Sequence, residues 1–214
     1  MLRNSQKGRR NRGLITPKSY PFLLTLQYLI PNHDNRKFTF LFLQKNGIPR
    51  QGGIHEDRFQ IKAFGINLRL PNPKLRKKVI HIHDIEHILN NCDTSWKEEA
   101  FIAGCELATG IWKHFPICLF TYWTVGYSLW IHPKAVFQGF KKGRNHKGVF
   151  DLKINKNTLM KMKFEDVSTI IQKEQKTQMG VLQWVYFLLW MLISEIFFLF
   201  PFLLLLFGVW SVIK

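Results

Sequence analysis

The sequence predicts a mainly α-helical protein: a helical metal-site domain with a C-terminal transmembrane or helical-hairpin anchor. Three observations support this fold class. Apolar residues recur at helical spacing around two histidines near position 85, a second helix follows a short polar break, and residues 180–213 carry a single charge. The predicted organisation is a basic tail at 1–18, a domain with the metal motif at 19–155, a polar linker at 156–179 and an anchor at 180–213.

The N-terminal third is strongly basic. It holds 17 of the 31 Lys and Arg residues but only 3 of the 14 acidic residues within its first 80 positions. Residues 1–18 fit a mitochondrial transit peptide, a lipid-surface anchor or a solvated tail, and they lack the apolar core of a secretory signal. Because no nucleic-acid-binding motif accompanies the charge, we expect a membrane surface as the anionic partner and no nucleic acid.

Three apolar segments lie between this tail and the metal motif. Residues 22–30 are too short to cross a bilayer and fit either a strand or a helix. Residues 38–43 are rich in Phe and Leu, and the turn signals that follow them favour a strand. Residues 59–64 alternate between polar and apolar side chains and, together with 66–70, predict a small β-containing lid or a set of loops.

The motif helix is predicted over residues 80–89, where His83 and His87 stand one turn apart on the same face. Residues 90–95 break this helix and offer capping side chains for a second one. Glu99 falls in the first turn of that second helix, where the helix dipole favours a carboxylate. If the two helices pack antiparallel, Glu99 comes back near both histidines. Glu106 lies two turns further on, on nearly the same face.

These residue types in this arrangement predict a metal site. Two histidines at this spacing also occur by chance, but six carboxylates and one cation, Lys97, lie between Asp84 and Glu106. Such a reversal of charge within a basic protein suits a bound cation better than a solvated helix face. Mixed imidazole and carboxylate ligands favour a divalent ion, zinc first, with Fe, Mn or Co as alternatives.

Four cations lie directly before the histidine motif: Lys74, Arg76, Lys77 and Lys78. They could hold a phosphate or an acidic headgroup near the metal, or they could form a solvated helix start. Basic residues at a helix N-terminus oppose the dipole, which is an argument for an anion that offsets them.

Further along the chain, residues 117–131 are uncharged and predict a buried or membrane-facing helix, and 134–142 predict a short basic helix. The three cysteines, Cys92, Cys105 and Cys118, fit neither a metal nor a disulfide spacing, so we expect buried, reduced thiols.

The C-terminal segment is too long for a simple span. A helix over 180–212 would measure about 50 Å against about 30 Å of hydrocarbon. It must therefore be one strongly tilted span, or a helical hairpin broken near Glu195 and Pro201, with Glu195 reaching the membrane interface. The lysines before it favour a cytoplasmic location for that end.

The motif also resembles a known family. His83-Asp84-Ile85-Glu86-His87, eleven residues and then Glu99 resemble the His-Asp-x-x-His signature of the coenzyme Q biosynthesis protein 4 family. The segments around it, 70–76, 93–100, 105–110 and 133–143, are similar to that family's flanking motifs, so the resemblance covers about residues 60–155. Glu98 and Cys105 depart from it, where the family often has Gly and an aromatic residue.

The resemblance implies four metal ligands, His83, Asp84, His87 and Glu99. Because Glu106 lies two turns after Glu99 on nearly the same face, it is a candidate to support a ligand or to transfer a proton. It implies a membrane-bound protein of ubiquinone-type biosynthesis that accepts a polyprenylated aromatic ring, with a link to oxidative decarboxylation at ring carbon 1. The expected partners are a polyprenyl-quinone precursor or another isoprenoid lipid, the bacterial or mitochondrial inner membrane, and other quinone-biosynthesis enzymes.

Two rival functions stay open at the level of sequence. One is a non-catalytic lipid-binding scaffold that organises quinone-biosynthesis enzymes around a structural metal. The other is a metal-dependent hydrolase of phosphorylated lipids, for which His55 and Asp151 are loose candidates for the additional ligands.

Overall fold

The computed structural model describes residues 35–48, 50–63, 66–173 and 178–214. The basic tail and the apolar segment at 22–30 lie outside the described residues. The described chain contains one two-stranded antiparallel sheet, with strands β1 Arg58–Ala63 and β2 Ile66–Pro71. It also contains eight α-helices, which confirms the predicted fold class: α1 Asn35–Lys45, α2 Lys74–Asn90, α3 Trp96–Thr109, α4 Cys118–Ile131, α5 Pro133–Gly143, α6 Lys156–Lys161, α7 Phe164–Ile171 and α8 Val181–Ile213.

The two motif helices begin and end as local sequence dictates. α2 stops at Asn91, whose left-handed backbone (φ 55°) lets its N–H donate to the carbonyls of His87 and Ile88. The side chain of Asp93 then accepts the N–H of Ser95 at 2.8 Å, which turns the chain into α3. The predicted helix, break and second helix are therefore confirmed.

α3 and α5 pack with their backbones in direct contact. A methyl group added to Gly139 would collide with the carbonyl oxygen of Phe101, and one added to Gly104 would collide with the carbonyl oxygen of Val136. Only glycine permits this separation. The main hydrophobic core lies around the contact and includes side chains from α3, α4, α5 and the first half of α8.

α2 is held on its other sides by shorter elements. Ile85 packs into a cluster with Leu159 and Val167 of α6 and α7. The segment predicted as a polar linker, 156–179, thus contains two short helices with buried apolar sides. These contacts fix α2, and with it the two motif histidines.

The strand prediction for residues 38–43 is wrong, because this segment belongs to α1. Phe38 and Phe42 are four residues apart and share a face with Leu43, and all three are buried in a cluster with Ile88 and Phe164. Burial of this face outweighs the strand preference of the Phe-rich sequence. The β-containing region after it is confirmed as a hairpin, with Phe59 opposite Leu70.

α8 is one continuous helix of 33 residues with Pro201 inside it, so it has no hairpin break. Its first half lies on the domain: Phe187, Met191, Ser194 and Phe198 form one buried face. Glu195 Oε1 accepts the indole N–H of Trp130 in α4 at 2.7 Å. From Phe200 onward every side chain is exposed. The helix is long and apolar enough to cross a membrane.

Candidate metal centre

His83, His87 and Glu99 meet at the contact between α2 and α3. The two imidazoles face each other with 3.1 Å between their Nε2 atoms. Glu99 Oε2 lies 3.3 Å from His83 Nε2, and Glu99 Oε1 lies 3.4 Å from His87 Nε2. The packing of α3 against α2 thus brings together three of the four predicted ligands.

The spacing of these donor atoms fits a metal ion. Ligand atoms bound at about 2.0–2.1 Å around a tetrahedral zinc ion lie about 3.4 Å apart. The two imidazole Nε2 atoms are 3.1 Å apart, and each lies 3.3 or 3.4 Å from a different oxygen of Glu99, so the separations are close to that value. At 3.1 Å the lone pairs of the two Nε2 atoms repel each other unless a proton lies between them, and a cation bound by both nitrogens removes this repulsion. The His83, His87 and Glu99 group could therefore hold a metal ion.

Glu106 fixes the orientation of His83. Its Oε1 is 3.1 Å from His83 Nδ1, and its Oε2 accepts the hydroxyl of Thr121 at 2.6 Å. When Nδ1 donates its hydrogen to this carboxylate, the lone pair of His83 Nε2 points towards His87 and Glu99. Such a carboxylate behind a ligating histidine sets its tautomer and increases its basicity.

The charges of the site depend on one another. Burial alone would lower the pKa of His83, but hydrogen bonds to Glu106 and Glu99 raise that pKa well above its usual value. Burial opposes ionisation of Glu99, but the two imidazoles outweigh it and lower the pKa of Glu99. Burial likewise opposes ionisation of Glu106, but His83 outweighs it and lowers the pKa of Glu106. The metal-free site is thus a protonated imidazole among carboxylates.

Asp84 lies in the wall of the same cleft but outside the triangle of donor atoms. It is 5 % exposed, and burial raises the pKa of its carboxyl to about 6, while His83 and His87 partly offset the effect. Gly52 closes over it, since a methyl group there would lie 3.1 Å from Asp84 Oδ2. Its role as a fourth ligand stays a prediction.

Glu86 is a site residue that the sequence analysis did not single out. It is 7 % exposed, and its Oε2 has no hydrogen-bond partner within the described part of the chain. His83, Glu86 and Glu106 form a second group whose ligand atoms lie within 4.8 Å of one another. Burial and the charge of Glu106 raise the pKa of Glu86 well above its usual value. Its spacing three residues after His83 was the available signal.

The triangle lies at the wall of a cleft of about 610 Å³. His83, His87, Glu99 and Glu106 form one polar region of it. Aromatic and aliphatic side chains line much of the rest: Phe59, Val79, Ile80, Trp96, Ile117, Phe120 and Phe150. A cleft with a few convergent polar groups in an apolar wall is typical of small-molecule sites.

Comparison with protein-family models, curated proteins and solved structures gives no match. The resemblance to the coenzyme Q biosynthesis protein 4 family therefore rests on the motif residues and their spacing.

The loose candidates for a phosphohydrolase lie away from the triangle. His55 is an exposed residue in a turn, and Asp151 Oδ1 forms a hydrogen bond with His114 Nε2 at 2.8 Å. Neither residue lines the cleft. The three cysteines are free and buried, as predicted, and none belongs to the metal group.

Proposed function

We propose that this chain is a membrane-anchored metal protein of ubiquinone-type biosynthesis that acts on a polyprenylated aromatic acid. The proposed reaction is oxidative decarboxylation at ring carbon 1: the bond between this carbon and the carboxyl carbon breaks, CO2 leaves, water supplies the oxygen of the new C1 hydroxyl group, and dioxygen accepts the two electrons and is reduced to hydrogen peroxide. The observation that carries the proposal is the triangle of His83, His87 and Glu99 in the wall of a largely apolar cleft. The spacing of the motif and its resemblance to the coenzyme Q biosynthesis protein 4 family supply the substrate class.

The open side of the triangle favours a catalytic role over a structural metal. Structural zinc sites are closed by four protein ligands, whereas catalytic sites keep a position free for substrate or water. Here three donor atoms come from α2 and α3, and the cleft lies beside them. This arrangement supports an enzyme more than the alternative, a lipid-binding scaffold.

Each residue of the cleft has a distinct part in the proposal. His83, His87 and Glu99 hold the ion, Asp84 lies beside them in the cleft wall, and Glu106 positions His83 through its Nδ1 hydrogen. A divalent ion bound there supplies Lewis acidity or redox chemistry towards the oxygens of the ring substituents. The apolar side chains of the cleft exclude water and receive the ring and the start of its tail.

Membrane attachment fits the substrate class. A polyprenylated ring partitions into the bilayer, and α8 offers an apolar helix with an exposed second half. We propose the inner membrane of a bacterium or of a mitochondrion as the location, with other quinone-biosynthesis enzymes as partners.

The first test is metal content of detergent-purified protein, for the wild type and for His83→Ala. We expect about one divalent ion per chain in the wild type and a strong loss in the variant. His55→Ala is the matched control, because His55 is exposed and lies outside the cleft. A folded wild type that takes up no metal, even after reconstitution, would contradict the proposal.

The second test concerns the reaction. A strain lacking this protein is expected to accumulate a polyprenylated aromatic acid and to lose quinone. Glu99→Gln at normal protein level separates enzyme from scaffold: lost product with retained complex assembly supports chemistry, and lost assembly supports the scaffold. Normal quinone without precursor accumulation in the deletion strain excludes both.

A further inference from the structure

Arg76 is a positively charged side chain in the wall of the cleft that holds the metal triangle. It lies on α2 seven residues before His83, which is two helical turns away on the same face. Arg76, His83, Asp84 and Glu99 all line this cleft. The guanidinium is therefore placed to contact whatever the cleft binds.

The guanidinium contacts three neutral groups, the ring of Phe59, the side chain of Asn72 and the carbonyl of Gly52, which are together called the cradle. Its carbon lies 4.3 Å from the centre of the Phe59 ring. Its Nη1 donates to Asn72 Oδ1 at 3.2 Å and to the carbonyl of Gly52 at 3.5 Å. Asn72 is itself fixed, since its Nδ2 donates to the carbonyls of Gly53 and Glu56 at 2.9 and 3.0 Å. The cradle orients the side chain without neutralising its charge.

The cradle leaves one edge of the guanidinium available. Over the described residues, the hydrogen bonds of Arg76 use Nη1 alone, so Nε and Nη2 keep their donors. These two groups form the edge that binds a carboxylate through two parallel hydrogen bonds.

The charge of Arg76 lacks a close partner of opposite sign. None of the ion pairs within 4 Å in the described residues includes Arg76. Asp84 and Glu99 attract it from a longer distance, while burial lowers its pKa. A half-buried arginine in this state costs free energy, which an anion on its free edge would offset.

We propose that Arg76 recognises the carboxylate of the ligand of the cleft through its Nε and Nη2 edge. The proposal rests on the proposed function for the aromatic acid as ligand class, but the anion site itself follows from the cradle. The competing explanation is structural: Arg76 clamps the segment Arg50–Gly53 onto α2 through Gly52 and has no ligand.

Binding of benzoate and of benzamide to the full-length protein in detergent tests the proposal. The two probes share a shape and differ in charge, and binding is followed calorimetrically and by tryptophan fluorescence, since Trp96 lines the cleft. We expect benzoate to bind about tenfold or more tightly than benzamide, the range that charge-assisted hydrogen bonds supply. Arg76→Gln should abolish this preference, and Arg76→Lys should keep only part of it, because lysine lacks the planar fork.

The matched control is Arg69→Gln, because Arg69 is exposed on β2 and lies outside the cleft. Equal binding of the two probes by the wild type, or an unchanged preference in a folded Arg76→Gln protein, overturns the proposal. Inorganic phosphate is the third probe: binding that depends on Arg76 for phosphate but not for benzoate overturns the carboxylate assignment.

Measurements with His87→Ala separate this proposal from the proposed function. That variant should lose metal and retain an Arg76-dependent preference for benzoate. Absence of metal in the wild type together with a retained preference would defeat the metal enzyme and leave the anion site standing. Metal binding without any preference for benzoate would defeat the anion site at Arg76 and leave the metal centre standing.

Discussion

Replacing Glu106 by Gln tests how far the buried carboxylate controls the metal centre. The carboxylate holds His83 Nδ1 at 3.1 Å and accepts the Thr121 hydroxyl at 2.6 Å. Gln keeps the shape and can still accept from His83 Nδ1 and donate to the Thr121 oxygen, but it lacks the charge that supports the imidazole. Removing a carboxylate of this kind lowers metal affinity by about 10- to 100-fold. We therefore expect a loss of that size, while a site built from His83, His87 and Glu99 stays in place.

Titration against a chromophoric chelator with zinc or cobalt measures this loss directly. The matched control is Glu86→Gln, another change in the same buried group. Burial and the charge of Glu106 raise the pKa of Glu86 well above its usual value, which favours the neutral form that Gln resembles. We expect less than about a threefold change in affinity for this control, because Gln is close to the form that burial favours. A Glu106→Gln protein with wild-type affinity would refute the role of Glu106 in positioning His83.

Three further predictions concern stability and membrane binding. Asp84 has a pKa raised from 3.8 to about 6, so burying its ionised form destabilises the metal-free protein as pH rises through that interval. Asp84→Asn should therefore raise the stability of the metal-free protein at pH 7 by about 3 kcal/mol, measured by urea unfolding, and an unchanged pH profile would contradict this. Gly139→Ala should destabilise the protein by about 3 kcal/mol, because its methyl group meets the Phe101 carbonyl, whereas Gly208→Ala adds a methyl group in open space inside α8 and should not destabilise it in denaturation. Removal of residues 201–214 should preserve metal binding and reduce flotation with vesicles, and full flotation would place the membrane contact elsewhere.

The centre of the fold could be predicted because its signals are local. Helical spacing identified α2, the polar break identified its end, and the expected return of α3 towards α2 predicted that Glu99 lies near the histidines. The β-hairpin and the helical segment that became α4 also followed from alternation and from the absence of charge. In each of these cases the signal lay within one continuous stretch of the sequence.

The secondary-structure prediction failed where the structure of a segment depends on contacts with residues far away in the sequence. α1 has a Phe-rich sequence that favours a strand, but burial of Phe38 and Phe42 against Ile88 and Phe164 makes it a helix. α6 and α7 pack against Ile85 in a buried cluster, although their composition suggested a polar linker. Neither contact can be predicted from the spacing of polar and apolar residues within its own segment.

The burial of Glu86 also depends on tertiary structure. Its carboxyl is enclosed because α2 is covered on several sides, and a carboxyl at that position on an open helix would be solvated. Sequence spacing gives the neighbours of a residue along one helix, but it does not give the number of elements that enclose it.

The first half of α8 packs on the domain and its second half is exposed, so the helix relates the position of the cleft to that of the exposed half. Its docked half is fixed to α4 where Phe198 and Ser194 cross Gly126, and the same rigid helix continues outward. If the exposed half crosses a bilayer, the number of residues between the two halves determines the distance of the cleft from the membrane surface and its rotation about the helix axis. One residue inserted after Phe200 would lift the domain by about 1.5 Å and turn it by about 100°. If the exposed half of α8 crosses a bilayer, its length would set the distance between the cleft and the membrane surface.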